Sequence, residues 1–279
     1  MESYIDLHIH TVFSDGSLTP GEVVQFAKKS GFTAISITDH DNIGGIQSAL
    51  NEGAVSGVEI VPGVELSVLY ALNPAEMHIL GYYIDWQNKE FQHELQLFRD
   101  ARLKRAWIMM EKFHKLGIAI NEEKIFSVSG KNGSIGRLHF AKYLLESGIV
   151  NNIKEAFNKY LDINKPAYVP KKILTAEQAI RMIAGTGGIP VLAHPYYGNF
   201  DNDNVLKELI GYGLKGIEAL HTRHTKEVEK KFIEIGSRFG LIITGGSDFH
   251  GQVDPDSRTI GLQKIPYSVL TQIKQLAGK

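Results

Sequence analysis

The chain has 279 residues, of which 43% are hydrophobic and 22% charged, with 28 Gly and 9 Pro. Those proportions exclude a disordered, collagen-like or coiled-coil chain, and the length suffices to bury a core without covalent staples. Thirty basic residues against 31 acidic ones leave a net charge of −1, which speaks against duplex DNA or an anionic membrane as partner. With no Cys, disulfides, thiolate zinc sites, iron–sulfur clusters and thiol nucleophiles are all excluded.

At about 150 residues per domain the expectation is one large domain, or one domain carrying an insertion. Met1–Tyr4 shows no basic stretch leading into a long apolar run, and no segment approaches the ~18 apolar residues of a membrane span. A cytoplasmic protein is expected. Ile5–Ile9 reads as a short apolar strand that runs into histidines. Thr19-Pro20-Gly21-Glu22 reads as a helix start, with Thr19 as cap, Pro20 in the first turn and Glu22 three residues on; Gly31 ends that helix. A strand over 33–38, a helix over 43–56, a strand over 59–69 and a strand over 77–84 follow. Repeated β–α units of this kind predict a parallel sheet with helices outside it.

The alternation then breaks. Residues 87–116 read as one long charged helix, and 119–165 as short helical pieces. It resumes with a helix over 176–185 and a strand over 189–193, then a helix over 205–212 and a strand over 216–219. A helix over 225–239 and a strand over 241–244 close the series. The expected organisation is a β/α barrel domain over 1–86 and 166–279, with a helical insertion subdomain over 87–165 as a substrate cap.

Imidazoles and carboxylates follow the strands. His8 and His10 end the first, with Asp15 five residues on; Asp39 and His40 end the second; Glu65 lies in the third; His78 opens the fourth. His194 ends the strand before Pro195, and Asp248 and His250 follow the last. In a β/α barrel such strand ends converge on one face. His8 and His10, two apart on a strand, point the same way. Taken singly, Asp15, His40 or His194 reads as structural. Jointly they would bury many ionisable groups together, which is expensive unless a metal ion takes up neutral imidazoles and ionised carboxylates. A donor set of N and O without sulfur suits Mn, Zn or Fe.

The segments Asp6-Leu7-His8-Ile9-His10-Thr11, Thr38-Asp39-His40-Asp41, Gly63-Val64-Glu65, Ala193-His194-Pro195 and Ser247-Asp248-Phe249-His250 resemble the motifs of the PHP (polymerase and histidinol phosphatase) superfamily. Gly136-Arg137-Leu138-His139 and Tyr168-Val169-Pro170 make the chain similar to its branch of nucleoside 3′,5′-bisphosphate and AMP phosphatases and 5′–3′ exoribonucleases, although that family often has Pro where Leu138 stands. The resemblance implies an α/β fold, a distorted (β/α)7 barrel, with three divalent metal ions. It implies His8, His10, Glu65 and Asp248 around the first ion, a bridging Glu65 with His78 and His194 around the second, and Asp15, His40 and His250 around the third. A bridging Glu65 would set two ions roughly 3.5–4 Å apart.

Three divalent ions against Asp15, Glu65 and Asp248 leave about three positive charges, an excess that seeks a phosphate monoester. The implied reaction is in-line attack of a metal-bridging hydroxide on phosphorus. The implied substrates are small nucleotide phosphates and short single-stranded RNA. Asp39 is expected to orient a ligand or brace a turn. Arg137, His139, Arg102, Tyr168 and His224 are carried as substrate contacts, and His224 also as a catalytic proton donor beside His8, His10, Glu65 and Asp248. Arg99, Arg102 and Arg105 share a helix face that reads as solvated. His221 is the weaker candidate next to His224, and His93 and His114 read as surface residues. Other readings are a histidinol-phosphate phosphatase, an amidohydrolase-type C–N hydrolase, for which Glu65 stands where a bridging Lys is typical, and a non-catalytic metal-binding regulatory module.

Overall fold

The expected capping box at the first helix is made in the structure, a computed structural model that describes residues 3–70, 76–128, 135–170, 174–198, 200–251 and 263–279. Thr19 Oγ1 accepts from Glu22 N at 3.3 Å and Glu22 Oε2 accepts from Thr19 N at 2.8 Å, so the helix starts at Pro20. In chain order the elements are β1 (Tyr4–Ile9), α1 (Pro20–Lys29), β2 (Phe32–Ile37), α2 (Ile46–Ser56), β3 (Glu59–Leu69) and β4 (Glu76–Tyr82). Then come α3 (Lys89–Lys115), α4 (Glu122–Val128), α5 (Arg137–Glu146) and α6 (Ile153–Ala156), the last continuing into a π turn over Phe157–Leu161. The series ends with β5 (Leu174–Thr175), α7 (Ala176–Gly185), β6 (Ile189–Leu192), α8 (Asp203–Tyr212), β7 (Gly216–His221), α9 (Lys226–Phe239), β8 (Ile242–Gly246), β9 (Ile265–Pro266) and α10 (Tyr267–Ala277). Among the described residues no helix is long and apolar enough to cross a membrane.

Two units separate in the fold, one of Met1–Gln92 with Ile173–Lys279, the other of His93–Lys172. In the first unit the strands lie in the order β8-β7-β6-β4-β3-β2-β1-β9. The ends of this path meet: Asp248 N donates to His8 O at 2.9 Å and His10 N to Phe249 O at 2.9 Å, so the segment after β8 closes onto β1 as a nearly complete barrel. Ile5, Leu7, Ala34, Val61, Leu80, Tyr82 and Val191 are buried in one core cluster of this unit. Ile9, Val23, Val24, Ala27, Ile35 and Ala49 form another that covers the sheet with α1 and α2.

The expected parallel sheet is corrected at β4, and the edge strand β9 is antiparallel as well. β4 runs antiparallel to both β3 and β6. A parallel neighbour needs a crossover of a dozen residues or more, and the chain from Leu69 to Glu76 is too short for one. The antiparallel pairing has a consequence for chemistry. It brings the first residues of β4, including His78, to the rim where the other strands end, since Ser67 pairs with His78. β9 and α10, which follow the last expected strand, add an edge against β1 and a helix burying Val269, Leu270 and Ile273.

The second unit has its own apolar core, built from Met109, Phe113, Phe140, Leu144 and Leu161. Residues 129–134 of the expected helical insertion lie outside the described residues.

β8 passes so close to β1 that Gly246 has no room for a side chain: a Cβ there would lie 2.6 Å from His8 N and 2.8 Å from His8 Cα, and would also strike His8 Cβ. Backbone atoms cannot yield as side chains do. Gly246→Ala is therefore expected to destabilise the protein by about 1–3 kcal/mol, the usual range for overpacking. A lowered midpoint of denaturant unfolding checks it; an unchanged midpoint would mean the two strands can part freely.

Candidate metal centre

β1 carries Asp6 and His8 at alternate positions and His10 follows its last residue, all three fully buried. Around them the strand ends deliver the remaining donors. Glu65, fully buried on β3, is the hub. Its Oε2 lies 3.3 Å from His8 Nε2, 3.3 Å from His10 Nε2 and 3.0 Å from His40 Nδ1. Its Oε1 lies 2.8 Å from His78 Nδ1 and 3.1 Å from His194 Nε2, and those two nitrogens are 3.3 Å apart. Asp248 Oδ1 reaches His10 Nε2 at 3.2 Å and His8 Nε2 at 3.6 Å. Asp15 Oδ1 stands 3.2 Å from His250 Nε2, and its Oδ2 3.8 Å from His40 Nε2. All nine expected donors thus share one rim. His40 lies between two groups, one ring nitrogen toward Glu65 and the other toward Asp15. His10 joins His40, Asp15 and His250 in a set whose donor atoms all lie within 4.8 Å of one another.

Charge at this rim is strongly perturbed. Burial opposes the charge on Glu65, yet His40, His78 and His8 outweigh it and hold the carboxyl well below its usual range. Burial likewise disfavours ionised Asp248, but the neighbouring His10 and His221 keep it ionised. Burial would neutralise His10; Asp248 and Glu65 instead push it up to about 10. His40 and His194 go the other way, lowered chiefly by burial. Carboxylates stay ionised while imidazoles compete for few protons, which is the charge state a cation exploits. His8 Nε2, His10 Nε2, His40 Nδ1 and Glu65 Oε2 are buried without a hydrogen-bond partner. Buried orphan donors of this kind are expensive unless something coordinates them, and their chemistry fits a hard or borderline divalent ion.

A second layer of acids holds the first. Asp39 Oδ1 accepts from Thr11 N at 2.7 Å and Ser14 Oγ at 2.6 Å, and its Oδ2 from Thr11 Oγ1 at 2.7 Å, so it braces the turn that presents Asp15. Asp6 Oδ1 accepts from Ser247 N at 2.9 Å, next to Asp248; burial raises the Asp6 carboxyl to about 6. Asp41 accepts from Ser67 N and Ser67 Oγ, both at 2.9 Å. Backbone strain concentrates here too: Asp41, His194 and Asp248 have φ of 49°, 24° and 55°. Such positions cost about 1–3 kcal/mol each and persist only where surroundings over-determine them.

Two residues of this site were underrated or missed in the sequence. Glu218 and His221, both on β7 and both fully buried, face the rim. An acid inside the otherwise apolar run Gly216–Ala219 was the available signal. His224 is buried, its Nδ1 donating to Ala219 O at 2.8 Å. Burial lowers this imidazole, and its Nε2 is buried as well.

Most of the remaining candidates lie in the second unit. Arg105 and Arg102 are buried rather than solvated, and Arg105 Nε donates to Val169 O at 2.8 Å. Arg99 is held by Gln96. The Arg137 guanidinium lies 5.6 Å from the Phe157 ring centroid and 5.8 Å from that of Tyr168. His139 Nδ1 accepts from Gly136 N at 2.9 Å and caps α5. His93 and His114 are exposed.

Residues 6–169 match the family model of the PHP domain, and the chain belongs to that family. It is 36% identical over 251 residues to a 3′,5′-nucleoside bisphosphate phosphatase of Chromobacterium violaceum, covering 88% of this chain and 87% of that one. It is 33% identical over 251 residues to the 5′–3′ exoribonuclease Rnm of Escherichia coli, covering 88% and 84%. Among solved structures, an inferred metal-dependent phosphoesterase of Bifidobacterium adolescentis superposes with a TM-score of 0.86 at 28% identity, covering 98% and 96%.

Removing the Asp39 carboxylate would strand three donors in a dry turn. Asp39→Ala is expected to destabilise the fold on the order of 1–3 kcal/mol. Denaturant unfolding measures this, and a variant as stable as the parent would show that the Thr11–Ser14 turn stands without its brace.

Proposed function

We propose that this chain is a metal-dependent phosphoesterase that hydrolyses phosphate monoesters of small nucleotides, nucleoside 3′,5′-bisphosphates and AMP-type monophosphates, and trims short single-stranded RNA from the 5′ end. The observation that carries the reading is the convergence of orphaned, buried lone pairs on Glu65. The residues fit three divalent ions: His8, His10, Glu65 and Asp248 for the first, Glu65, His78 and His194 for the second, Asp15, His40 and His250 for the third. When bound, such ions lower the pKa of an attacking water and offset charge on the transferring phosphoryl group.

The chain's own residues do the rest. Glu65 shares its two oxygens between the two histidine groups, which holds those groups at one fixed spacing. Asp248, held by its backbone bond to His8 O and by His10, keeps its negative charge where a cation or a water proton needs it. His224, with Nδ1 fixed on Ala219 O, offers its Nε2 as a substrate contact or a proton carrier. Glu218, fully buried, adds one carboxylate to the three counted from the sequence, so the expected positive excess is smaller by one charge and still favours an anionic substrate.

A phosphate-release panel with Mn²⁺ tests the reading. It compares a nucleoside 3′,5′-bisphosphate, AMP, histidinol phosphate and a 5′-phosphorylated short RNA. The highest kcat/KM is expected on the bisphosphate; preference for histidinol phosphate would overturn the substrate class. Asp248→Asn and His10→Ala should each bring phosphate release to background while the circular dichroism spectrum is kept, and near-normal turnover in either removes the metal centre from catalysis. Arg137→Ala should lower kcat/KM for the bisphosphate more than for an aryl phosphate. Equal losses on both would leave Arg137 a packing residue between Phe157 and Tyr168.

A further inference from the structure

β7 contributes none of the nine donors, yet it touches three of them. Glu218 Oε1 lies 2.9 Å from His8 Nδ1, and its Oε2 accepts from His194 N at 2.8 Å. A carboxylate at that distance fixes a His8 proton on Nδ1, so Nε2 is the nitrogen turned to Glu65 and Asp248. His221 Nδ1 accepts from Arg223 N at 3.1 Å. Its proton is therefore on Nε2, and Nε2 faces Asp248 Oδ2 at 3.7 Å.

A regular strand would not present both residues. Glu218 and His221 are an odd number of positions apart, and alternate residues of a strand point to opposite faces. The pairing of β7 with β8 slips between Glu218 and Leu220, where Leu220 rather than Ala219 pairs with Gly245. This bulge turns His221 to the face that Glu218 already occupies.

Resting on the metal-dependent reading above, we infer that β7 is a positioning strand for the metal centre: Glu218 orients His8 and pins the strained backbone of His194, and His221 orients Asp248. His8, Glu218 and His221 also lie close enough together to form a cation site of their own. The hydrogen bonds argue against it, because His8 Nδ1 and His221 Nε2 carry protons and His221 Nδ1 is taken by a backbone amide. Carboxylates that orient metal-bound histidines in this way govern affinity by about 10–100-fold.

The experiment is Mn²⁺ binding by the full chain, with metal stoichiometry and competition against a chelator, for the parent, Glu218→Gln and Glu218→Ala. The expected result is a loss of apparent Mn²⁺ affinity of about 10–100-fold in Glu218→Ala and a smaller loss in Glu218→Gln, whose amide oxygen still accepts from His8. Stoichiometry at saturation should be unchanged, and kcat should recover at high Mn²⁺. A merely structural role would lower the metal-free unfolding midpoint without that recovery. Unchanged affinity in Glu218→Gln and Glu218→Ala overturns the inference and leaves the phosphoesterase reading intact. Loss of one whole ion in Glu218→Gln also overturns it, in favour of a cation held by Glu218 itself. A parent protein that retains no Mn²⁺ overturns the metal reading and the inference with it. Should Glu218→Ala fail to fold, the Gln variant decides alone.

Discussion

One buried carboxylate organises this molecule. Glu65 has no exposure to water worth the name, yet it lies within ion-pair distance of His8, His10, His40, His78 and His194. Moving an isolated carboxylate from water into a dry interior costs several kcal/mol even after relaxation. Five imidazoles cannot all be protonated around it, since they would repel one another. Burial lowers His40 and His194, while Asp248 and Glu65 hold His10 high. Cations resolve it, because they satisfy carboxylate and neutral imidazole at once.

Holding such a cluster requires a frame stiffer than the repulsion inside it. The frame consists of backbone amides given to buried acids. Asp6 takes Ser247 N, Asp39 takes Thr11 N, Asp41 takes Ser67 N and Glu218 takes His194 N. Each acid reaches across to a neighbouring strand end, so every donor-bearing turn is tied to another. The strained φ values of Asp41, His194 and Asp248 fall on these tied turns. The amides of Asp41 and Asp248 are themselves bonded, to Glu65 O at 2.8 Å and His8 O at 2.9 Å. Strain of this kind survives where several bonds must break together to release it.

The helical unit shows the opposite use of polar groups. Within it Arg105 donates to Val169 O, His139 accepts from the first turn of α5, and the Arg137 guanidinium lies near the Phe157 and Tyr168 rings. A guanidinium spread over aromatic faces contributes packing as well as charge. Basic residues on a long helix are thus a poor guide to a binding face until their burial is known.

Local chemistry made much of this protein legible in its chain. The Thr19–Glu22 box, the alternation of helix and strand, and the nine donors at strand ends depend on spacing and side-chain type, which a sequence displays directly. The reversed direction of β4, the bulge in β7 and the burial of Arg102 and Arg105 were not legible. Strand direction follows from which neighbour a strand pairs with, and a bulge from how two distant strands share their hydrogen bonds. Burial of a charged side chain follows from what packs over it. Glu218 therefore looked like one more acid in a strand until the fold set it beside a histidine 210 positions away.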